Sequence, residues 1–205
     1  MRKRVLATAA AFCAFATPAF PAEARILDFG TDATGNAVVT SYPDDGFAFT
    51  GSHLQIIDNV TPDPTLVRSD SGNYLLSSDG GTVTLRIGRG GFSLYGFSYA
   101  EGAIGAPPGT LTVVGYLMNG GTVTQTFGID GIADGNGGAP DFQSVKVTGF
   151  SNLWQATFSA GGQAFSLDSV DAVPEPATWT MMLVGFGAIG FAARRQRRLL
   201  LARNA

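Results

Sequence analysis

Cysteine is almost absent from this 205-residue chain: the single one, Cys13, falls within the first 24 residues. Histidine is as scarce, with His53 alone. Such a chain cannot build a zinc site from His and Cys clusters. Once its N-terminal segment is removed, it has no disulfide and no thiol chemistry. Glutamate is rare too: between residues 25 and 173 only Glu101 occurs. No G-x-S-x-G, H-E-x-x-H or EF-hand pattern is present. That region also lacks any ten-residue stretch of helical period. His53, alternating with apolar neighbours in GSHLQII, is expected to be structural or surface-exposed.

Charge is sparse, at 14% of residues, and it is unevenly placed. Residues 25–173 hold five basic residues (Arg25, Arg68, Arg86, Arg89, Lys146) against fourteen acidic ones, a net of −9. The whole-chain value of −3 hides this, because the remaining basic residues sit at the two ends. A domain this acidic argues against nucleic acid or an anionic membrane as partner. It is compatible with neutral polysaccharide, with cations or with solubility alone.

The N-terminal end reads as an export signal. Arg2, Lys3 and Arg4 precede an apolar run, Val5–Ala16, and Ala22-Glu23-Ala24 forms an A-x-A cleavage pattern. Cleavage after Ala24 starts the mature chain at Arg25 and removes Cys13. Phe12 before that cysteine is too large for a lipoprotein signal.

The C-terminal end mirrors it. Residues 177–193 are seventeen without a charge, about 26 Å as a helix, the short end of a bilayer span. Arg194, Arg195, Arg197 and Arg198 follow. Arginine clusters stay cytoplasmic, so residues 25–173 face outward, as the N-terminal signal also requires. Gly185, Gly187 and Gly190 make the stretch a poor soluble helix.

Pro174-Glu175-Pro176, Trp179, the Met181-Met182-Leu183 run, Gly185-Phe186-Gly187 and the closing arginines resemble the PEP-CTERM sorting signal of Gram-negative bacteria. Trp179 is followed by Thr180 where the nearest variant of that signal has Ala. The resemblance covers residues 173–198. It implies recognition by exosortase, a membrane-embedded cysteine protease, and processing near the Pro-Glu-Pro. It also implies transient inner-membrane anchoring, then a cell-surface or extracellular location in bacteria that make extracellular polysaccharide. The two prolines are expected to hold an extended backbone, open to a protease.

The 149 residues from 25 to 173 suit one domain. Short runs rich in Val, Ile, Thr, Phe and Tyr recur between Gly, Asn, Asp or Pro. Strands are expected near 25–30, 36–42, 47–51, 53–58, 73–78, 82–88, 92–99, 109–118, 122–130, 142–150, 152–159 and 163–171. Asn119-Gly120 predicts a type I′ hairpin turn, with Val123, Phe127 and Ile129 on one face of its second strand. Asp79-Gly80 and Gly161-Gly162 predict similar turns. The sequence GGTVT occurs at 80–84 and 120–124, but its flanks differ, so it marks two like turns and no repeat. These features predict an all-β fold, a β-sandwich of jelly-roll type. The ILDFGT and AFSLDSV strands resemble, in style, those of carbohydrate-binding-module-like sandwiches.

No catalytic residue is assigned. Trp154, Tyr95 and Tyr99 are candidate glycan contacts, since sugar C–H groups pack on aromatic faces. Phe92, Phe97, Phe150, Phe158 and Phe165 are assigned to the core. Asp28 and Asp168 are a candidate pair of ligands for a structural Ca²⁺, because terminal strands of a jelly roll often lie side by side. Asp130, Asp134, Asn136 and Asp141 form a second acidic stretch. The expected function is a non-enzymatic, exported surface or matrix protein that binds exopolysaccharide or serves as a structural matrix component. The alternatives are a secreted polysaccharide hydrolase with paired Asp carboxylates, and a membrane protein whose anchor is never cut.

Overall fold

The computed structural model describes residues 25–30, 37–58, 65–67, 69, 72–132, 141–175, 185–191 and 194. The signal-cleavage residues Ala22 and Ala24 lie outside these, as do Pro176, Trp179, Arg195, Arg197 and Arg198. The chain divides into two units, Ala22–Pro176 and the two ends taken together.

The first unit is all-β. Its strands are β1 (Arg25–Leu27), β2 (Val39–Asp44), β3 (Phe47–Ile57), β4 (Tyr74–Ser77), β5 (Val83–Ile87) and β6 (Phe92–Glu101). They continue as β7 (Gly109–Leu117), β8 (Thr122–Ile129), β9 (Gln143–Lys146), β10 (Leu153–Ser159) and β11 (Phe165–Pro174). Two expected runs, 47–51 and 53–58, fuse into β3. Its first half pairs with β5 and its second half with β4, so Gly51 marks a change of partner and not a break.

Instead of the two separate sheets of a jelly roll, one continuous sheet runs β8-β7-β10-β5-β3-β4-β11-β6-β9. It closes on itself. β10 also meets β6 through Leu153 and Phe92, which makes a ring of β10, β5, β3, β4, β11 and β6. The Leu94 N–H donates to Phe150 O at 2.8 Å beside that seam. Closure leaves the ring's strands without open edges.

Alternation fills the ring. Phe49, Leu54, Val83, Leu85, Leu111, Val113, Phe158, Phe165 and Leu167 are wholly buried. Phe97 packs edge-on to Phe158 at 5.2 Å and to Phe127 at 5.4 Å, a favoured aromatic geometry. All five phenylalanines assigned to the core are in it. A smaller cluster of Ile57, Val67, Tyr74, Leu76 and Ala100 is separate, and the Tyr74 hydroxyl donates to Val67 O at 2.8 Å.

The β7–β8 hairpin forms as expected, but its turn is different. Gly120 has φ +91° while Asn119 is not among the positive-φ residues, and Gly120 N–H donates to Leu117 O. That is a type I turn closed by a left-handed glycine, not type I′. The Asp79-Gly80 and Gly161-Gly162 turns also form, yet they join strands that do not pair with each other. β4 and β5 both pair with β3; β10 and β11 lie apart in the ring.

In the second unit, residues 185–191 are helical and exposed. Among the described residues no helix is long and apolar enough to cross a membrane. Of the span expected over 177–193, residues 177–184 and 192–193 lie outside the described residues.

The two turns meet at Gly80, where φ is +69° and an added Cβ would lie 2.3 Å from the Gly162 carbonyl carbon. At Gly90 φ is +83° but an added Cβ meets nothing within 4 Å. Gly80→Ala is expected to lose about 2 kcal/mol or more in a urea melt, and Gly90→Ala only about 1 kcal/mol. Equal losses would mean that the turn–turn packing contributes nothing.

Candidate functional site

A register change in a β-ladder sets two neighbouring side chains against one partner and re-aims them. The ladder between β6 and β11 has two such changes in succession. Asp168 pairs with Ser98 and Asp171 with Gly96, so β11 carries one extra residue there. Ala172 then pairs with Leu94, so β6 carries the next extra residue, Tyr95. Ser169, inside the first bulge, holds φ +47°, an uncommon conformation for a residue with a side chain.

These bulges open a cleft of about 580 Å³. That is the size range of small-molecule sites. Gly96 forms part of its floor, where an added Cβ would lie 2.5 Å from Val145 O. Register places Gly96 between Asp171 of β11 and Lys146 of β9, so a carboxylate and an ammonium flank a bare backbone. Lys146 is the only lysine outside the first 24 residues. Asp171 Oδ1 is buried and, among the described residues, has no hydrogen-bond partner. A buried carboxylate oxygen left unmatched is costly. Tyr95 lines the same cleft and is 51% exposed. Ser98 and Ser144 hydroxyls, 2.8 Å apart, complete a polar wall.

Trp154 is the extra residue of a third bulge. Leu153 pairs with Leu117 and Gln155 with Tyr116, which leaves Trp154 between them, 41% exposed. Tyr116 stands 5.7 Å from it, ring to ring. The Arg86 guanidinium lies 5.1 Å from the indole centroid and donates from Nε to Gln155 Oε1 at 2.8 Å. Cation–π contact and hydrogen bond together hold the indole and guanidinium in place. Neighbouring positions on this face are Thr84, Thr112, Thr157 and the exposed Thr122 and Thr124. Trp154 does not line the Tyr95 cleft.

Tyr99 is different, and the expectation for it is corrected. It is 3% exposed, packed against Phe97 and Phe127, with its hydroxyl donated to Gly128 O at 2.7 Å. An inward position on β6 puts it out of reach of a glycan.

β1 does pair with β11, as terminal strands were expected to, with Leu27 opposite Val170. Asp28 and Asp168 are nevertheless used locally. Asp28 Oδ1 accepts from Gly30 N–H at 3.0 Å. Asp168, 1% exposed, accepts from Ser69 Oγ and from Ser169 N–H at 2.6 Å. Among the described residues no three His, Cys, Asp or Glu side chains stand together as a metal-binding group. Of the acidic stretch 130–141, Asp134 and Asn136 lie outside the described residues.

Two polar clusters were missed in the sequence. Ser52, His53 and Asp79 come together on the surface: Ser52 Oγ donates to Asp79 Oδ2 at 2.5 Å, and His53 Nδ1 lies 2.8 Å from the same oxygen. An activated serine needs the histidine between it and the carboxylate. Here the carboxylate is in the middle, so Ser52 has no base. Its hydroxyl, followed by the Gly81 N–H, draws the Asp79 carboxyl down to about 2.

The second cluster is Glu101 and Asp130. Glu101, 1% exposed, accepts from Gly131 N–H at 2.7 Å. Burial raises its carboxyl above the ordinary value, and the adjoining Asp130 carboxyl, hydrogen-bonded to it, adds to the rise. Asp130 accepts from Gln143 Nε2 at 2.9 Å. Carboxyls that work on a glycosidic bond stand about 5–10 Å apart across an open cleft. These are bonded to each other, one of them buried, and the pair anchors the end of β8 to β6.

Residues 172–198 match the family described as the PEP-CTERM protein-sorting motif. The chain carries that motif, which marks it for export and cell-surface sorting. Its first residues are folded into the β-domain: Ala172, Val173 and Pro174 close β11, and Glu175 follows directly. Arg194 is helical and exposed. Among solved structures, a family 29 carbohydrate-binding module is similar at a TM-score of 0.41 and 8% identity, covering 75% of this chain and 90% of that one. A family 61 module in complex with β-1,4-galactotriose is similar at 0.39 and 8% identity, covering 64% and 90%. No curated protein sequence matches the chain.

Folding binds a proton at Glu101, because its carboxyl is raised above its ordinary 4.5. The resulting stability is complete below about pH 4.5 and is lost as pH rises through the raised value. The melting temperature should therefore fall over that interval. Glu101→Gln, which keeps an acceptor for Gly131 and cannot ionise, should flatten the fall. An unchanged slope would assign the effect to another group. Asp79 acts in the opposite sense and lower: its contribution is present above about 3.8 and is lost as pH drops through about 2.

Proposed function

We propose that this protein is an exported, non-enzymatic surface or matrix component whose β-domain binds extracellular polysaccharide. In this reading the apolar stretch 177–193 anchors the chain briefly in the inner membrane. An exosortase-type protease then processes the tail, and the domain passes to the cell surface. The sorting motif at 172–198 supports the route.

The cleft beside Tyr95 carries the binding half of the proposal. Sugars offer vicinal hydroxyls and an apolar C–H face. The half-buried Asp171 accepts from sugar hydroxyls, Lys146 donates to ring or hydroxyl oxygens, and the exposed face of Tyr95 packs on C–H groups. One acid and one base across a glycine leave the cleft near neutral, which suits an uncharged sugar within an acidic domain. Trp154, with Tyr116 and Arg86 fixing its plane, offers a second, flatter surface along which a longer chain can lie.

Affinity electrophoresis through gels containing the host's own exopolysaccharide tests this. Tyr95→Ala and Asp171→Asn should each weaken retention about 5- to 100-fold, the cost of losing one well-placed partner. Trp154→Ala should weaken binding to long chains more than to short oligosaccharides. If none of the variants differs from the wild type, or the wild type is not retained, the domain has a structural role alone.

A further inference from the structure

Glu175 belongs to two things at once. In the sequence it is the middle residue of Pro-Glu-Pro. In the structure it is hydrogen-bonded into the β-domain by both its backbone and its side chain. Val173 and Pro174 still pair with Ser93 and Phe92 of β6. The Glu175 N–H then donates to Gly91 O at 2.8 Å. Its carboxylate oxygen Oε1 accepts twice, from Ser93 Oγ at 2.9 Å and from Asn152 N–H at 2.8 Å.

Asn152 is in the left-handed region, at φ +54°, and leads straight into β10. Its carbonyl accepts from Met118 N–H at 2.9 Å, and the next residue, Leu153, is the one that closes the ring against Phe92. The carboxylate thus joins the end of β11, the start of β6 and the turn before β10. Hydrogen bonds to a charged acceptor are among the stronger ones in a protein.

We infer that Glu175 is a structural residue of the mature domain, and that the processing cut falls on its C-terminal side. This rests on the reading that the tail is processed. The cut is a hydrolysis: one amide C–N bond downstream of Glu175 breaks. Its carbonyl carbon takes the oxygen of water, and the departing amine takes a proton. A cut between Pro174 and Glu175 would withdraw the carboxylate from Ser93 and Asn152. A cut further upstream would shorten β11 as well. The Pro-Glu-Pro is therefore read by the sorting machinery and kept, at least through Glu175, by the fold.

Two measurements test this. Mass spectrometry of the surface-localised native protein should find a C-terminal residue at position 175 or later. A terminus at 174 or earlier overturns the inference. Melting of the full chain separates the fold from sorting. Glu175→Ala should lower the melting temperature by about 3–8 °C and speed amide exchange at Asn152. Glu175→Gln, which keeps an acceptor oxygen but loses its charge, should melt between Glu175→Ala and the wild type while still altering the motif. A Glu175→Ala chain that melts like the wild type overturns the structural role. An intact tail on the surface protein overturns the processing reading and the cut together, and the melting pair then decides the structural role alone.

Discussion

Strand β11 has to be paired along both edges, and the rest of the molecule depends on that requirement. Its whole length lies against β6, its first residues against β4, and Val170–Ala172 against β1. Buried backbone groups need partners, so neither edge can be left open. The inward side chains Phe165, Leu167, Val170 and Ala172 are all wholly buried. A one-residue slip would turn these outward together. The ring closes only because β11 carries the sheet from β4 to β6, from where the single Leu153–Phe92 pairing reaches β10.

The same ladder shows where regularity was given up. A strand that alternates strictly presents every second residue to solvent. At Ser169, Tyr95 and Trp154 the alternation fails by one residue each time. Each failure brings side chains to the outer surface that strict alternation would have separated. Strain such as φ +47° at Ser169 persists only where its surroundings over-determine it, and here two flanking strands do so. The cleft beside Tyr95 and the Trp154 surface both lie at these points.

Strand positions were largely legible, because β-branched and aromatic runs bounded by Gly and Asp leave a local trace. Pairing was not. Asp79-Gly80 and Gly161-Gly162 have hairpin chemistry, but nothing nearby in sequence records that β3 or the ring's far side claims the flanking strands. Tyr95 and Tyr99 look alike in FSLYGFSYA, and only the bulge at Tyr95 sends one out and the other in. Glu101 and Asp130 are 29 positions apart, and Glu175 reaches partners 82 and 23 positions away. No spacing rule connects such residues. The Pro-Glu-Pro was legible as a signal with an extended backbone, but its prolines do not say what lies beside it.

The pairing of β1 with β11 sets an order on maturation. Export delivers the chain from its N-terminus, so β1 crosses first and its partner crosses last. The ring cannot close early, because the links from β4 to β6 run through β11, the last strand. Contacts between such distant segments slow folding. The domain therefore completes itself only after Glu175 has crossed, two residues before the apolar stretch begins. Every strand described in the β-domain ends ahead of residue 177, where the uncharged stretch begins in the sequence.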